Sequence, residues 1–437
     1  MEAVRGHDGC RAGEGAMRVL LVGCTKENPA EGTGACIART LRFRMALEAA
    51  GIGVEVVAPG EGRRGVAMVD SAVKEGNFTS GVLISPYPAE TAVLARPGMP
   101  LWIDMNGQHP AEVQLQGTVT DRGWEYMTRM LALENTLLAA GDRFSTPSKA
   151  QANAVMGELY LLGRLTGESS GVVPVSPLPH CVMPGWRERF ERRAPEPGHV
   201  ISTGSFNLWF DHETLFSALE TAMDRSPRIR FTCTGGAIPF SPERYEHFRR
   251  LVSESRHSHR FDLLGWVERS RLEEVYRSAA AAVYADLPGG ETVLGARTRA
   301  LDWIGSGIPV VCTRGAEVSL EMDRLGLGAA VPQQRPEALA EALLEVSLDR
   351  GRSEGIVRRQ AEWSEGEGSM ESIMEPLVGW CRAPARLPRA RAGRVTVERK
   401  DSLRYLTRIF RMVLRDQGVG PALGRVLRRL FGSGRSG

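Results

Sequence analysis

The 437-residue chain contains no apolar run approaching the roughly 18 residues needed to cross a bilayer, and its mean hydropathy is −0.20. Both features argue against membrane-spanning helices. The stretch 1–16 carries charges but no apolar core, so no secretory leader is expected, and Met17 opens the first credible strand. Seven cysteines are scattered, odd in number and without a Cys-x-x-Cys pair, which speaks against a disulfide framework and for reduced thiols in a cytoplasmic protein. Histidine pairs are equally thin. Neither His257-x-His259 nor the neighbours His180 and Cys181 has a matching second pair, so no metal site is expected. No Asp-x-Asp pair is present either. A Gly-x-Gly-x-x-Gly turn directly after the first strand is also missing. Gly32, Thr33 and Gly34 follow that strand at a distance, Ile37 stands where a third glycine would be, and the second strand ends in Ala58 and Pro59 without an acid. A nicotinamide or flavin cofactor is therefore not expected.

What is present is a soluble enzyme's composition, with 42% hydrophobic residues and enough length for two domains. The net charge of +3 hides an asymmetry. Residues 382–437 hold fifteen Lys/Arg against three acids, so this tail carries +12 and the rest of the chain −9. The basic character belongs to an appendage, and nucleic-acid binding by the body does not follow from it.

Apolar runs and helical patterns alternate twice. Residues 17–24, 54–58, 81–85, 100–105 and 142–147 read as strands of a first α/β unit, with helices at 36–50, 124–139 and 148–162. In the first of these helices Ile37, Leu41, Met45 and Leu47 mark the apolar positions. Six prolines between 174 and 197 break the pattern. It then restarts, with strands at 200–203, 229–234, 261–264, 281–285 and 308–312. The expected organisation is an N-terminal Rossmann-like domain at 17–175, a linker at 176–198 and a second Rossmann-like domain at 199–365. A C-terminal helix at 366–383 and a basic tail at 384–437 follow. The fold class is α/β, two doubly wound domains facing a cleft.

The most informative stretch runs from Glu291 to Val311. A strand leads through a polar loop with Gly295 into a helix starting near Thr298, with Arg297 and Arg299 at its start and Asp302 one turn inside. A helix N-terminus favours an anion, and arginines add bidentate phosphate contacts. Asp302 is spaced to accept hydrogen bonds from a pair of sugar hydroxyls. These parts suit a nucleotide diphosphate carrying a sugar.

This segment resembles the C-terminal signature of GT-B glycosyltransferases of the family-4-like group, Glu-Gly-Phe-Gly-x-x-x-x-Glu-Ala-x-x-x-Gly-x-Pro-Val-Val. Gly307, Pro309, Val310 and Val311 match its end, and Asp302 falls on the second Glu, which the resemblance makes the ribose ligand. The first Glu falls on Leu294, and the nearest acid is Glu291. A Glu-Thr…Arg-Thr-Arg-x-Leu-Asp-Tyr variant of bacterial surface-polysaccharide transferases is similar to this chain, with Trp303 for Tyr. The loop from Thr203 to Asp211 is similar to the Gly-Gly-x-x-Asn-Trp-x-Asp loop of that subgroup, which would bring Gly204 and Asn207 to the donor. Asp211 reads equally as a helix N-cap. Leu264, Gly265, Trp266 and Val267 resemble the group's Leu-Gly-Trp-Val, with Gly265 near the nucleotide base and Trp266 more simply a packing residue.

In the first domain the stretch Asp104 to Glu112 follows a strand end, where α/β sheets bind ligands. Asp104 and His109, with Glu112, are candidate catalytic or acceptor-orienting residues, though Asp104 reads equally as a turn cap. Gly32, Thr33 and Gly34 would line the cleft. The resemblance implies a retaining glycosyltransferase that takes a nucleotide-sugar donor and a hydroxyl acceptor in polysaccharide or glycolipid synthesis. It implies no cofactor. A GT-B epimerase or a non-catalytic nucleotide-sugar-binding relative are the alternatives. In the tail, Leu403, Leu406, Ile409, Phe410, Val413 and Leu414 recur at helical spacing among Arg404, Arg408, Arg411 and Arg415. Such a helix would dock on an anionic membrane face at the cytoplasmic side, or pack on the acidic body.

Overall fold

A computed structural model of the chain describes residues 17–25, 35–60, 62–118, 123–185, 194–238 and 241–388, with isolated positions at 407, 410, 411 and 414. Gly32, Thr33 and Gly34 and nearly all of the 384–437 tail lie outside the described residues.

The first domain contains β1 (Arg18–Val22), α1 (Ala35–Ala49), β2 (Gly53–Val57), α2 (Gly62–Glu75), β3 (Ser80–Ile84) and α3 (Tyr87–Leu94). It continues with β4 (Leu101–Asp104), α4 (His109–Gln116), α5 (Gly123–Ala140), β5 (Arg143–Thr146), α6 (Lys149–Leu161) and β6 (Val175–Pro177). Its six strands pair in parallel in the order β2-β1-β3-β4-β5-β6. Continuous apolar runs such as Val19–Val22 and Val82–Ile84 are buried, as a sheet covered on both faces requires. The short strand β6 places residues 176–177 in this sheet rather than in a linker.

The second domain contains β7 (His199–Thr203), α7 (His212–Arg225), β8 (Arg230–Thr234), α8 (Glu243–Glu254), β9 (Phe261–Gly265), α9 (Arg269–Ser278) and β10 (Ala281–Tyr284). Then come α10 (Gly290–Leu294), α11 (Thr298–Gly305), β11 (Val310–Thr313), α12 (Glu317–Leu325), β12 (Gly328–Val331), α13 (Pro336–Leu348) and α14 (Arg350–Glu365). The strand order is β12-β11-β10-β7-β8-β9, again all parallel. The order reverses between β7 and β10, so a crevice opens there at the carboxyl ends of the strands.

A last helix, α15 (Met370–Arg382), returns to the first domain. Met370, Met374, Leu377 and Cys381 are buried with Val19, Leu21, Phe43, Leu47 and Trp102. Trp380 packs edge-on against Trp102, ring centres 5.6 Å apart. Just beyond it, Leu387 is buried and its amide donates to Asp142 Oδ1 at 3.1 Å. The beginning of the tail therefore lies on the body. Among the described residues no helix is long and apolar enough to cross a membrane.

Two expectations about packing need correction. The buried positions of α1 are Arg39, Thr40, Arg42, Phe43, Ala46 and Leu47, while Leu41 is exposed. The first turns of α1 face acids and carbonyls, so arginines occupy positions that an apolar stripe would normally fill. Trp266 is also exposed rather than packed, because β9 is an edge strand and the chain beyond it leaves the sheet.

Candidate active site

The rim of the second sheet is built from backbone. Gly204, Gly235 and Gly265 end three adjacent strands with φ of +96°, +91° and +66°. The Gly204 amide donates to the Thr234 carbonyl at 2.9 Å, and the Gly235 amide to the Gly265 carbonyl at 2.7 Å. At Gly235 only glycine fits, since a Cβ would stand 2.1 Å from the Gly204 carbonyl oxygen. The loop then turns through Asn207, whose carbonyl accepts from the Phe210 amide at 3.0 Å and whose Oδ1 accepts from Ser205 Oγ at 3.2 Å. Asp211 caps α7, accepting from the Thr214 amide at 3.0 Å and the Thr214 hydroxyl at 2.7 Å.

Across the crevice stands the start of α11. Arg299 is half-buried and donates from Nη2 to the Ser205 carbonyl at 3.1 Å, with its guanidinium 5.9 Å from the Phe210 ring centre. It thus lies over the loop after β7, next to Gly204. Burial lowers its pKa, and Asp286 partly opposes this. Thr298 is the first residue of α11, beside Arg299.

Arg297 does not offer its guanidinium to a phosphate as the sequence suggested. It is 4% exposed, and its Nε donates to Asp286 Oδ2 at 2.7 Å. Its two terminal nitrogens each donate to a Glu291 oxygen at 2.9 Å, and Trp209 lies at 5.5 Å from the guanidinium carbon. Burial works to lower this guanidinium's pKa, but Asp286 and Glu291 outweigh it and the net shift is upward. Burial raises both carboxyls, with Arg297 opposing. Glu291 is thereby occupied as well. Gly295 is buried beneath the pair, where a Cβ would meet Glu291 Oε1 at 2.3 Å, so its need for glycine is one of packing. The three charges form a bolt that fixes the loop between β10 and α11.

Asp302 is one turn further along and faces the first domain. Its Oδ1 accepts from Arg42 Nη2 at 2.8 Å, and its side chain is one-third exposed. Burial raises its pKa, with Arg42 opposing. Arg42 also donates from Nε to the Cys181 carbonyl at 3.0 Å. One residue pair therefore ties α1 to α11 across the cleft.

Asp104 ends β4, where the sequence put it, but its carboxylate is engaged by the fold. It is 0% exposed and held by Arg39 through both oxygens, Nε to Oδ2 at 2.9 Å, with Ser145 Oγ donating at 2.6 Å. Both oxygens are engaged and fully buried, so among the described residues Asp104 ties β4 to α1. His109 begins α4. Burial pushes its imidazole down to about 4, leaving it neutral, and its buried Nδ1 has no hydrogen-bond partner among the described residues. Glu112, one turn on, covers Gly107, where a Cβ would lie 2.8 Å from Glu112 Oε1 and φ is +135°. Burial and then Glu291 push Glu112 up to about 7, against the pull of Arg297. Helix α4 packs directly on α10, so His109 and Glu112 stand across the cleft from the Glu291–Arg297 bolt.

The domains also meet at α6. Its first amides, Lys149 and Ala150, donate to the two oxygens of Glu317 at 2.9 and 2.7 Å, a carboxylate placed at a helix N-terminus. Ser148 Oγ donates to the Leu294 carbonyl at 3.3 Å.

Sequence reasoning missed Arg39, Arg42, Asp286 and Glu317. The signal for the first two was present, since two arginines three apart share a helix face with Phe43 and Ala46. For Asp286 and Glu317 there was none, because their partners are brought near only by the fold.

Residues 197–349 match the family model described as Glycosyl transferases group 1. No curated protein matches the chain in sequence. Among solved structures, a trehalose-phosphate synthase (UDP-forming) from Burkholderia vietnamiensis superposes with a TM-score of 0.61 at 13% identity, covering 84% of this chain and 98% of that one. The E. coli trehalose-6-phosphate structure bound with UDP-2-fluoro glucose gives 0.61 at 11% identity, covering 84% and 100%. Anabaena HepE in complex with UDP and glucose gives 0.55 at 13% identity, covering 83% and 98%. Two parallel doubly wound domains around a cleft are the GT-B fold, which those solved structures share. The group 1 glycosyltransferase match falls within the second domain of this chain.

Proposed function

We propose that the protein transfers a glycosyl unit from a nucleotide-diphosphate sugar to a hydroxyl acceptor, with retention, in the synthesis of a cell-surface polysaccharide or glycolipid. The observation that carries the donor assignment is Arg299 at the start of α11, lying against the Gly204–Ser205 loop at the switch point of the second sheet. Breaking the glycosidic bond builds negative charge on the departing diphosphate. Preorganised donors at that point stabilise the transition state, and this contribution is usually the largest. Arg299 and the first amides of α11 supply it in this reading. Asp302 keeps one oxygen on Arg42 and offers the other to the ribose. His109, neutral by burial, hydrogen-bonds a sugar hydroxyl. Glu112, with a pKa near 7, carries the acceptor's proton. Arg297 and Glu291 act through the loop they fix rather than by touching the donor. Closure of the domains excludes water and limits hydrolysis.

The test is a panel of UDP-, GDP- and TDP-sugars, beginning with UDP-sugars because two of the solved structures above hold UDP or a UDP-sugar. Release of nucleotide that depends on an added hydroxyl acceptor supports the reading. Interconversion of sugars without release supports an epimerase instead. The acceptor is proposed to be lipid-linked and met at the cytoplasmic membrane face, through the basic tail. Full-length protein should then pellet with anionic vesicles at low salt and release at high salt, and a chain ending near 388 should stay in solution. Equal behaviour of the two chains would remove the membrane role.

A further inference from the structure

A cluster at the start of α7 combines two histidines and a carboxylate. His212 and Glu213 open α7, and His247 lies on α8. His212 Nε2 is 3.0 Å from His247 Nδ1, and His247 Nδ1 is 3.6 Å from Glu213 Oε1. One ligand atom from each residue lies within 4.8 Å of the others. Nitrogen and oxygen ligands at 2.0–2.1 Å from a tetrahedral zinc ion stand about 3.3 Å apart. The two observed separations bracket that value, and the third pair lies within 4.8 Å, so side-chain rotation would close the three on one ion.

We propose that His212, Glu213 and His247 bind a divalent transition-metal ion of the zinc class. Two imidazole nitrogens select such an ion over Mg²⁺ or Ca²⁺, which prefer all-oxygen shells. The set is that of a three-ligand site with an open fourth position. His212 is buried, while the side chains of His247 and Glu213 are 36% and 70% exposed. The ion would enter from the surface, and water would complete its shell. Arg244 lies close enough to His212 to act on it electrostatically. Arg244 and the N-terminus of α7 oppose a cation here, and Glu213 offsets them. Moderate affinity is therefore expected rather than that of a structural zinc core.

The site has a place in the fold that gives it a role. Helix α7 begins where the Gly204–Asp211 loop ends, and Arg244 of α8 donates to the Phe210 carbonyl of that loop at 3.3 Å. An ion joining α7 to α8 would pin the far end of the loop on which Arg299 rests. Metal binding itself does not depend on the proposed transfer chemistry.

The experiment uses the full chain stripped with chelator and titrated with Zn²⁺ alone, by calorimetry and by thermal unfolding. Wild type should bind one ion at least tenfold more tightly than His247→Gln or Glu213→Gln, and zinc should raise its unfolding midpoint but not theirs. Both substituted side chains are partly exposed, so folding should be kept, and the midpoints without metal check this. Co²⁺ substitution should give a spectrum without thiolate charge transfer. Absence of binding, equal affinity in all three proteins, or a thiolate band would each overturn the assignment, the last by moving the ion to cysteines.

Discussion

Arg297→Ala separates a structural bolt from a phosphate ligand. The guanidinium is 4% exposed and makes close ionic hydrogen bonds to Asp286 and Glu291, themselves 2% and 3% exposed. Removing it leaves two buried carboxylates without a counter-charge. Such a break typically costs about 3–5 kcal/mol, a large part of the 5–15 kcal/mol that holds an ordinary domain together. The loss should show as a lower urea midpoint, followed by tryptophan fluorescence. It should also depend on pH. Burial already raises both carboxyls, and without Arg297 it raises them further. A carboxyl with a raised folded pKa favours the folded state at acid pH. That advantage is lost as pH rises from its ordinary value through the raised one. The variant's deficit should therefore be larger at pH 8 than at pH 5. A second variant carrying Asp286→Asn, Glu291→Gln and Arg297→Met should recover much of the stability, since neutral replacements of buried ion groups are often no worse. If Arg297→Ala unfolds like wild type yet loses turnover at low donor concentration, the bolt is wrong and the arginine touches the donor.

Arg299→Ala should behave in the opposite way, with kcat/KM down at least about tenfold, or about 1.4 kcal/mol, and an unchanged urea midpoint; full activity at sub-saturating donor would rule out the phosphate role. Asp302→Asn should weaken nucleotide binding in calorimetry, and unchanged affinity would leave Asp302 only as the inter-domain partner of Arg42. Glu134, buried with neither oxygen hydrogen-bonded among the described residues, is pushed up to about 9 by burial and by Glu158 and Glu112. The folded state then keeps a proton that the unfolded chain releases above about 4.5, so stability should fall as pH rises from there to about 9. Glu134→Gln should flatten that slope, and an unaltered pH profile would show that Glu134 is not buried as described.

The fold was legible because buried parallel strands leave continuous apolar runs, and 19–22, 200–203 and 310–313 stand out against polar surroundings. Elements without such runs were harder. Helices α2 and α3 are short or polar, and their patterns did not separate from the loops around them. The site was legible as a place but not as a set of contacts. Arginines at 297 and 299 mark a charged helix start, yet nothing in their spacing says that one faces acids 6 and 11 residues upstream and the other faces the loop at Ser205. Asp104 followed a strand end as a ligand residue would, but its partner Arg39 lies 65 positions away. His212 and His247 are 35 residues apart in no motif, so the reading of isolated histidine pairs passed over them.

Helix α15 bears on how such proteins can be recombined. It belongs to the end of the chain but completes the hydrophobic layer over β1, α1 and β4. The domains in sequence are consecutive, whereas in packing the second is an insertion into the first. A chimaera joined once, in the proline-rich linker, would seat a foreign helix on Phe43 and Trp102. One that exchanges only the stretch from about 178 to 369 leaves that layer with its own partner. On the proposed assignment, donor preference should then move with the exchanged piece, while the first domain stays whole.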